Sequence, residues 1–305
     1  MKHKKVPVNK ITNFDKRDMR IAYIMLLPAV VMLTIFVIIP LAVAIHKSFY
    51  DWNYYIDSVF VGFKNFKIIL KTVYFQKAVE NVLKFVIIIV PLILILSFTF
   101  AHVLMGLNKK LSNMIKTAIY IPGIISGIAT SVIFIFILDY KGGLINQVLM
   151  NIGVGRIGFL NNPLWAFIAV VLPTVWLGLG SNTILMYAAL VNVPPEYYEA
   201  ASVDGASAFK KMIYITLPQM KNIFILMCIG LTTGTLQMFD IPYMLTNGGP
   251  SNSTLTPMLY LYNNYRDTSK GMGYTIAGAI LMMIIIILIN SVVFTVIKSE
   301  RSVEG

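Results

Sequence analysis

Residues Val191 to Asn222 read VNVPPEYYEAASVDGASAFKKMIYITLPQMKN, and they separate two long apolar runs. Helix–helix connections in bundles usually take ~2–8 residues, so a linker of this length carries structure of its own. Pro194 and Pro195 suit the first turn of a helix, where the missing N–H is not needed. Glu196 and Glu199 then fall in the opening turns, on the favourable side of the helix dipole. Tyr197 to Ala201 form helix readily, and Gly205 can take the left-handed conformation that ends one. A second short helix is expected from Ala206 to Ile215, stopped by Pro218. Ala200 and Ala201 leave room for a neighbouring backbone, while Glu199 and Asp204 offer carboxylates to a partner's Arg or Lys. On the residues alone, two readings stand: a knob made for a partner, and an amphipathic connector lying on a bilayer.

The chain around this linker is apolar throughout. Of its 305 residues, 57% are hydrophobic and only 12% charged, with a mean hydropathy of +0.76. A bilayer core of ~30 Å needs ~20 apolar residues of helix. Six segments supply them: 21–45, 82–105, 117–138, 164–191, 223–239 and 274–297. The expected architecture is therefore an all-α polytopic membrane protein, with tails at 1–20 and 298–305 and the 192–222 loop between the fourth and fifth spans. Pro122, Gly123, Gly127, Pro173, Gly178 and Gly180 interrupt the third and fourth spans, which neighbouring helices tolerate. The first span follows a basic stretch and ends near Ala42-Val43-Ala44. Its apolar length exceeds the ~7–15 residues of a cleaved signal, so it is read as retained.

A formal charge of +12 would suggest nucleic acid in a soluble protein. Here the basic residues lie between apolar runs, where they set orientation, and no nucleic-acid partner is expected. The N-terminal tail, loops 107–116 and 192–222, and the C-terminal tail hold fifteen Lys and Arg, against nine in the other three loops. Both termini and the 192–222 loop are thus expected on the cytoplasmic side. Lys84 stands one turn into the second span, Asp240 closes the fifth, and no carboxylate falls at mid-bilayer, which disfavours a proton-driven carrier. The single cysteine, Cys228, lies in an apolar run and reads as a small buried hydrophobe. No H-E-x-x-H, G-x-S-x-G or G-x-x-x-x-G-K-[ST] string occurs, so neither an intramembrane enzyme nor an ATPase is expected on this chain.

Seven spaced positions carry a resemblance. Glu199-Ala200-Ala201, then Gly205, then Ile215 and Leu217-Pro218 are similar to the EAA loop of ABC-importer permeases. Leu27-Pro28-Ala29, Ile39-Pro40, Ser48 to Asn53, Gly62-Phe63-Lys64-Asn65-Phe66, Phe239-Asp240 and Leu245 to Pro250 resemble further elements of the same family, in the same order. The chain resembles carbohydrate-uptake permeases of the maltose, glycerol-3-phosphate and lactose or multiple-sugar type, and its short form is closest in pattern to the last branch. The resemblance implies the MetI-like type I importer fold, a bacterial plasma-membrane location, and a role for Glu199, Ala200, Ala201 and Gly205 in a coupling helix docked on a cytoplasmic ATPase. It implies a second homologous permease, two ATPase subunits that bind ATP and Mg, and an extracytoplasmic sugar-binding protein; no cofactor is expected on this chain. An importer for a phosphodiester or an amino acid is the nearest alternative.

Two stripes are candidates for the substrate path. Thr174, Leu177, Gly178 and Ser181 recur at helical spacing on the fourth span, and Leu231, Gly234, Thr235 and Met238 on the fifth. In maltose-type permeases, equivalent places line the cavity; small residues at this spacing also mark helix packing in lipid, and both readings remain open. Gly123 and Gly127 read as packing or kinking. Phe49, Tyr50, Trp52, Tyr54 and Tyr55 read as an interfacial aromatic belt.

Overall fold

The computed structural model describes residues 16–53, 56–267 and 271–298. The basic residues Lys2 to Lys10, Arg301, Tyr54 and Tyr55 lie outside the described residues. In chain order the elements are α1 (Met19–Ser48), strands β1 (Tyr50–Asn53) and β2 (Ile56–Phe60), α2 (Lys64–Lys71), α3 (Val73–Gly106), α4 (Lys109–Tyr120), α5 (Gly127–Leu138), α6 (Leu144–Asn151) and α7 (Pro163–Val191). They continue with α8 (Pro195–Val203), α9 (Ala208–Gln219), α10 (Lys221–Leu236), α11 (Asp240–Thr246), α12 (Pro257–Arg266) and α13 (Met272–Ile297). Among the described residues, α1, α3, α7 and α13 are long and apolar enough to cross a membrane, and two bent pairs bring the total to six if each pair is one span.

The bent pairs refine one expectation and correct another. The run 117–138, expected as one span, is broken: α4 passes through a 3-10 turn at Ile121–Ile124 and meets α5 at 98°. Pro122 and Gly123 weaken the helix there, and Ser126 starts a new one by accepting the Ala129 N–H on its Oγ at 3.2 Å. The second concerns Pro218, expected to stop the helix begun near Ala206. Helical backbone instead runs through it to Gln219, by way of a π turn at Met212–Thr216. A proline ring collides with the carbonyl four residues back in a regular helix, and the wider turn relieves that crowding. The break falls at Met220, where the chain bends 68° into α10. With 16 residues, α10 is only about 24 Å long.

Lipid gives helices no hydrophobic reason to associate, so close packing of small residues must hold the bundle. The central pair, α3 and α7, follows this rule. Ala166 and Ala169 of α7 and Ala78 and Ala101 of α3 are fully buried. Phe85, Ile89 and Ile93, one face of α3, pack with Val170 and Val175, and the Phe85 and Phe167 rings stack 4.3 Å apart. Gly180 supplies the closest approach: a Cβ there would sit 2.0 Å from the Ile119 carbonyl oxygen of α4. Glycine at 180 is therefore a packing residue.

At the opposite end of the bundle from the 192–222 linker, asparagines tie the chain together. Asn65 donates to the Ser48 and Tyr50 carbonyls, both at 2.9 Å, and pins the exit of α1 to α2. Asn81, on α3, donates to the Asn252 and Leu255 carbonyls at 2.6 and 3.1 Å, tying α3 to the turn that precedes α12. A two-stranded hairpin, β1 with β2, is an addition that the helical reading did not foresee. Of the aromatic belt, Phe49 packs its ring on Phe63 and Phe66, and Tyr50 on Phe60.

Candidate functional site

The linker folds as a helical hairpin. Pro194 is the N-cap and Pro195 the first residue of α8. At the other end, Ala206 N–H bonds the Ala201 carbonyl at 2.8 Å and Gly205 N–H the Ser202 carbonyl at 3.1 Å. These are the two bonds of a Schellman cap, whose C′ residue must be left-handed. Gly205 has φ +73° and open space around its Cα, so its glycine serves backbone conformation alone. Glu196, Tyr197, Glu199, Ala200, Val203 and Asp204 are exposed, Val203 at 89%; Ala201 is half-buried at the base. The hairpin thus presents two carboxylates on α8, with Asp204 beyond, around a small-residue centre.

Its inner face is fastened to the bundle. Tyr198 and Thr216 share a hydroxyl hydrogen bond of 2.9 Å, and Lys211 donates to Ser202 Oγ at 2.6 Å. Tyr198 and Ile215 pack on a buried cluster of Ala101, Met186, Leu190, Val193, Met220 and Met227. That cluster joins the ends of α3, α7 and α10 nearest the hairpin. Its two chain ends continue directly into α7 and, through the bend at Met220, into α10.

Those two helices also enclose a cleft of about 290 Å³. Seven of the eight residues of the two stripes line it: Thr174, Leu177 and Gly178 of α7, and Leu231, Gly234, Thr235 and Met238 at α10. Ser181 does not; it is exposed, with its Oγ 3.4 Å from the Gly178 carbonyl. The stripes divide between the two readings offered for them. A Cβ at Gly178 would meet Ile93 Cδ1 at 2.9 Å, whereas one at Gly234 would meet nothing within 4 Å. Gly178 packs, and Gly234 leaves space.

Sequence reading missed Ile89, Ile93, Gly230 and Ile241, which complete the lining. Ile89 and Ile93 stand in an unbroken apolar span, where no change of polarity marks one face from another. Among the described residues, no ionisable side chain lines the cleft. Thr174 spends its proton on the Val170 carbonyl at 2.7 Å. The surface is therefore smooth and apolar, with hydroxyl lone pairs at Thr174 and Thr235. Gly123 and Gly127 lie at contacts, one 3.2 Å from the Leu177 carbonyl and the other 3.1 Å from Asp240 Cβ, measured from a notional Cβ.

Comparison with known proteins matches residues 68–301 to the family described as binding-protein-dependent transport system inner membrane component. The sulfoquinovosyl glycerol transport system permease of Agrobacterium fabrum is 30% identical, covering 94% of this chain and 93% of the relative. The trehalose/maltose permease of Thermococcus litoralis is 30% identical over 88% of this chain and 91% of its own length. The lactose permease of Rhizobium radiobacter is 32% identical over 77% and 80%. A bacterial ABC transporter involved in alginate import has the same fold, with a TM-score of 0.81 at 22% identity over 94% of this chain and 98% of that one. The chain belongs to the inner-membrane permease components of binding-protein-dependent ABC transport systems.

Proposed function

We propose that this chain is one half of the membrane pathway of an ATP-driven sugar or oligosaccharide importer, and that its 192–222 hairpin is the handle by which a separate ATPase moves it. The observation that carries the reading is a continuity: the hairpin's two ends run into α7 and α10, the helices that line the cleft. From Val191 back to Gly178, or from Lys221 on to Gly234, is about 20 Å of helix. A displacement of the hairpin is delivered to the cleft walls without an intermediary.

In this scheme two ATPase subunits bind ATP and Mg, close on each other and carry the hairpins with them. The bundle then rocks between outward- and inward-facing states. ATP drives the shift only through its unequal affinity for the two. A second homologous permease completes the pathway, and an extracytoplasmic binding protein delivers the ligand. The Lys and Arg distribution supports a cytoplasmic hairpin and cytoplasmic termini. Sugar as the substrate class is supported by the named ligands of the relatives and by the neutral cleft.

The test is reconstitution of the complete importer in proteoliposomes with its binding protein. Glu199→Ala combined with Gly205→Pro removes a docking carboxylate and forbids the left-handed cap, since proline holds φ near −65°. Uptake should fall at least tenfold and the ATPase subunits should dissociate more readily. Unchanged uptake and association would refute the handle; accumulation by this chain alone under a proton gradient would favour a secondary carrier.

A further inference from the structure

Behind the hairpin, on the side away from its exposed carboxylates, lies a second cavity of about 530 Å³ between α3, α8 and α9. We infer that it is a binding groove for an anionic phospholipid of the cytoplasmic leaflet, with Lys211 and His102 holding the phosphate and Met105, Leu190, Phe209 and Met212 the upper acyl chain. This rests on the cytoplasmic placement of the hairpin proposed above.

The chemistry of the walls argues for an amphiphile. Met105 at the inner end of α3, Leu190 at the inner end of α7, and Phe209 and Met212 of α9 are apolar. Met105 and Phe209 are 45% and 65% exposed, so the groove is open to an occupant. Methionine adapts to irregular chains. Lys211 and the hydroxyls of Tyr198 and Thr216 stand on the hairpin side, and His102 lines the groove from α3. Lys211 donates one proton to Ser202 and keeps two for an anion. Among the described residues, no Asp or Glu lines the groove.

Its position supplies the source of the ligand. The groove joins the last turns of α3, a membrane-spanning helix, to the hairpin, and the chain beyond Gly106 continues into the exposed Lys109 and Lys110. Basic pockets between spans on the cytoplasmic side are where anionic headgroups bind. The π turn at Met212–Thr216 shapes this wall, and such turns gather at functional sites. A lipid seated here touches α3 on one side and the hairpin on the other, so it would stiffen the link between them.

The experiment uses the complete importer in nanodiscs of phosphatidylcholine with increasing dioleoyl-phosphatidylglycerol, including a photoreactive phosphatidylglycerol. The expected result is cross-linking at Met105, Phe209 or Met212, with retention by native mass spectrometry about fivefold weaker in Lys211→Gln and weaker still in Lys211→Glu, and preserved in Lys211→Arg. Where Lys211→Glu does not assemble, Met105→Trp fills the groove from the α3 wall and should expel the lipid equally. Cross-links confined to other faces, equal retention in these variants, or a peptide of the partner permease cross-linked in the groove would overturn the assignment. Nanodiscs expose both faces, so this result does not depend on orientation or on transport.

Discussion

The hairpin at 192–222 and the cleft between α7 and α10 belong to the same pair of helices but hold their residues in different surroundings. At the hairpin, each residue type has a distinct fate. Prolines start α8, Gly205 closes it with φ +73°, and the acidic residues and Ala200 are exposed. In the cleft, both lipid and protein interior are apolar, so a lining residue and a packed one look alike. Gly180 and Gly234 are indistinguishable in sequence, yet a Cβ would collide with the Ile119 carbonyl at the first and meet nothing at the second.

That contrast can be broken most sharply at these two glycines. Gly180→Ala places its methyl 2.0 Å from backbone, so α4 and α7 must separate. Overpacking typically costs ~1–3 kcal/mol and more where backbone must shift. Loss of monodisperse protein on size exclusion, or a melting point lowered by many degrees, is expected. Gly234→Ala should leave both unchanged, its helix gaining up to ~1 kcal/mol from the better helix former. Equal effects at the two sites would remove the distinction between wall and cavity.

Next in size is a functional effect without a folding one. Gly234→Trp fills the open side of the 290 Å³ cleft and should lower uptake at least tenfold while the complex still assembles. Ser181→Trp, outside the lining, should be much milder. Comparable uptake in the two would separate the cleft from the path.

Gly205→Val tests the hairpin's cap. A β-branched residue at φ +73° costs about 1–2 kcal/mol of local stability. Weaker coupling of ATP hydrolysis to uptake is expected, with the melting temperature of the spans little changed, measured by heating curves beside the transport assay. A fall in the global melting point as large as that of Gly180→Ala would place the hairpin in the core.

The smallest expected effect lies in the loop after α5. Asp139 accepts the Gly142 and Lys141 N–H groups at 2.8 and 2.9 Å, and these bonds hold its carboxyl below the ordinary aspartate value. A lowered folded-state pKa means the stabilisation is fully present above the unfolded value of ~3.9 and fades as pH falls through the folded one. Amide exchange at Gly142 should therefore quicken only below about pH 4, and Asp139→Asn should abolish that dependence. Exchange indifferent to pH in the wild-type chain, after correction for intrinsic rates, would dismiss the contribution.

The sequence disclosed the fold where polarity alternates with apolar length: α1, α3, α7 and α13 fall on predicted spans, and α8 with its cap follows from Pro195 and Gly205. It was less informative where two weak signals compete. Pro218 looked like a stop, but a π turn carries the helix past it. Pro122 and Gly123 looked tolerable within one span, but Ser126 adds a cap that turns tolerance into a 98° break. In the cleft, spacing brought together seven stripe residues, while Ile89 and Ile93 of α3 were hidden because their whole span is apolar.

A cytoplasmic motor gripping the hairpin, as proposed, is put to the test by one labelling experiment. Cys228 is the chain's single cysteine, so a Cys228→Ala background makes Val203→Cys, at a site 89% exposed, a unique reporter. A membrane-impermeant maleimide should leave it unmodified in intact cells, modify it in inside-out vesicles stripped of ATPase, and fail again once the ATPase subunits are restored. Modification from outside intact cells, or reactivity in vesicles that the ATPase does not alter, would show that no cytoplasmic motor holds the hairpin.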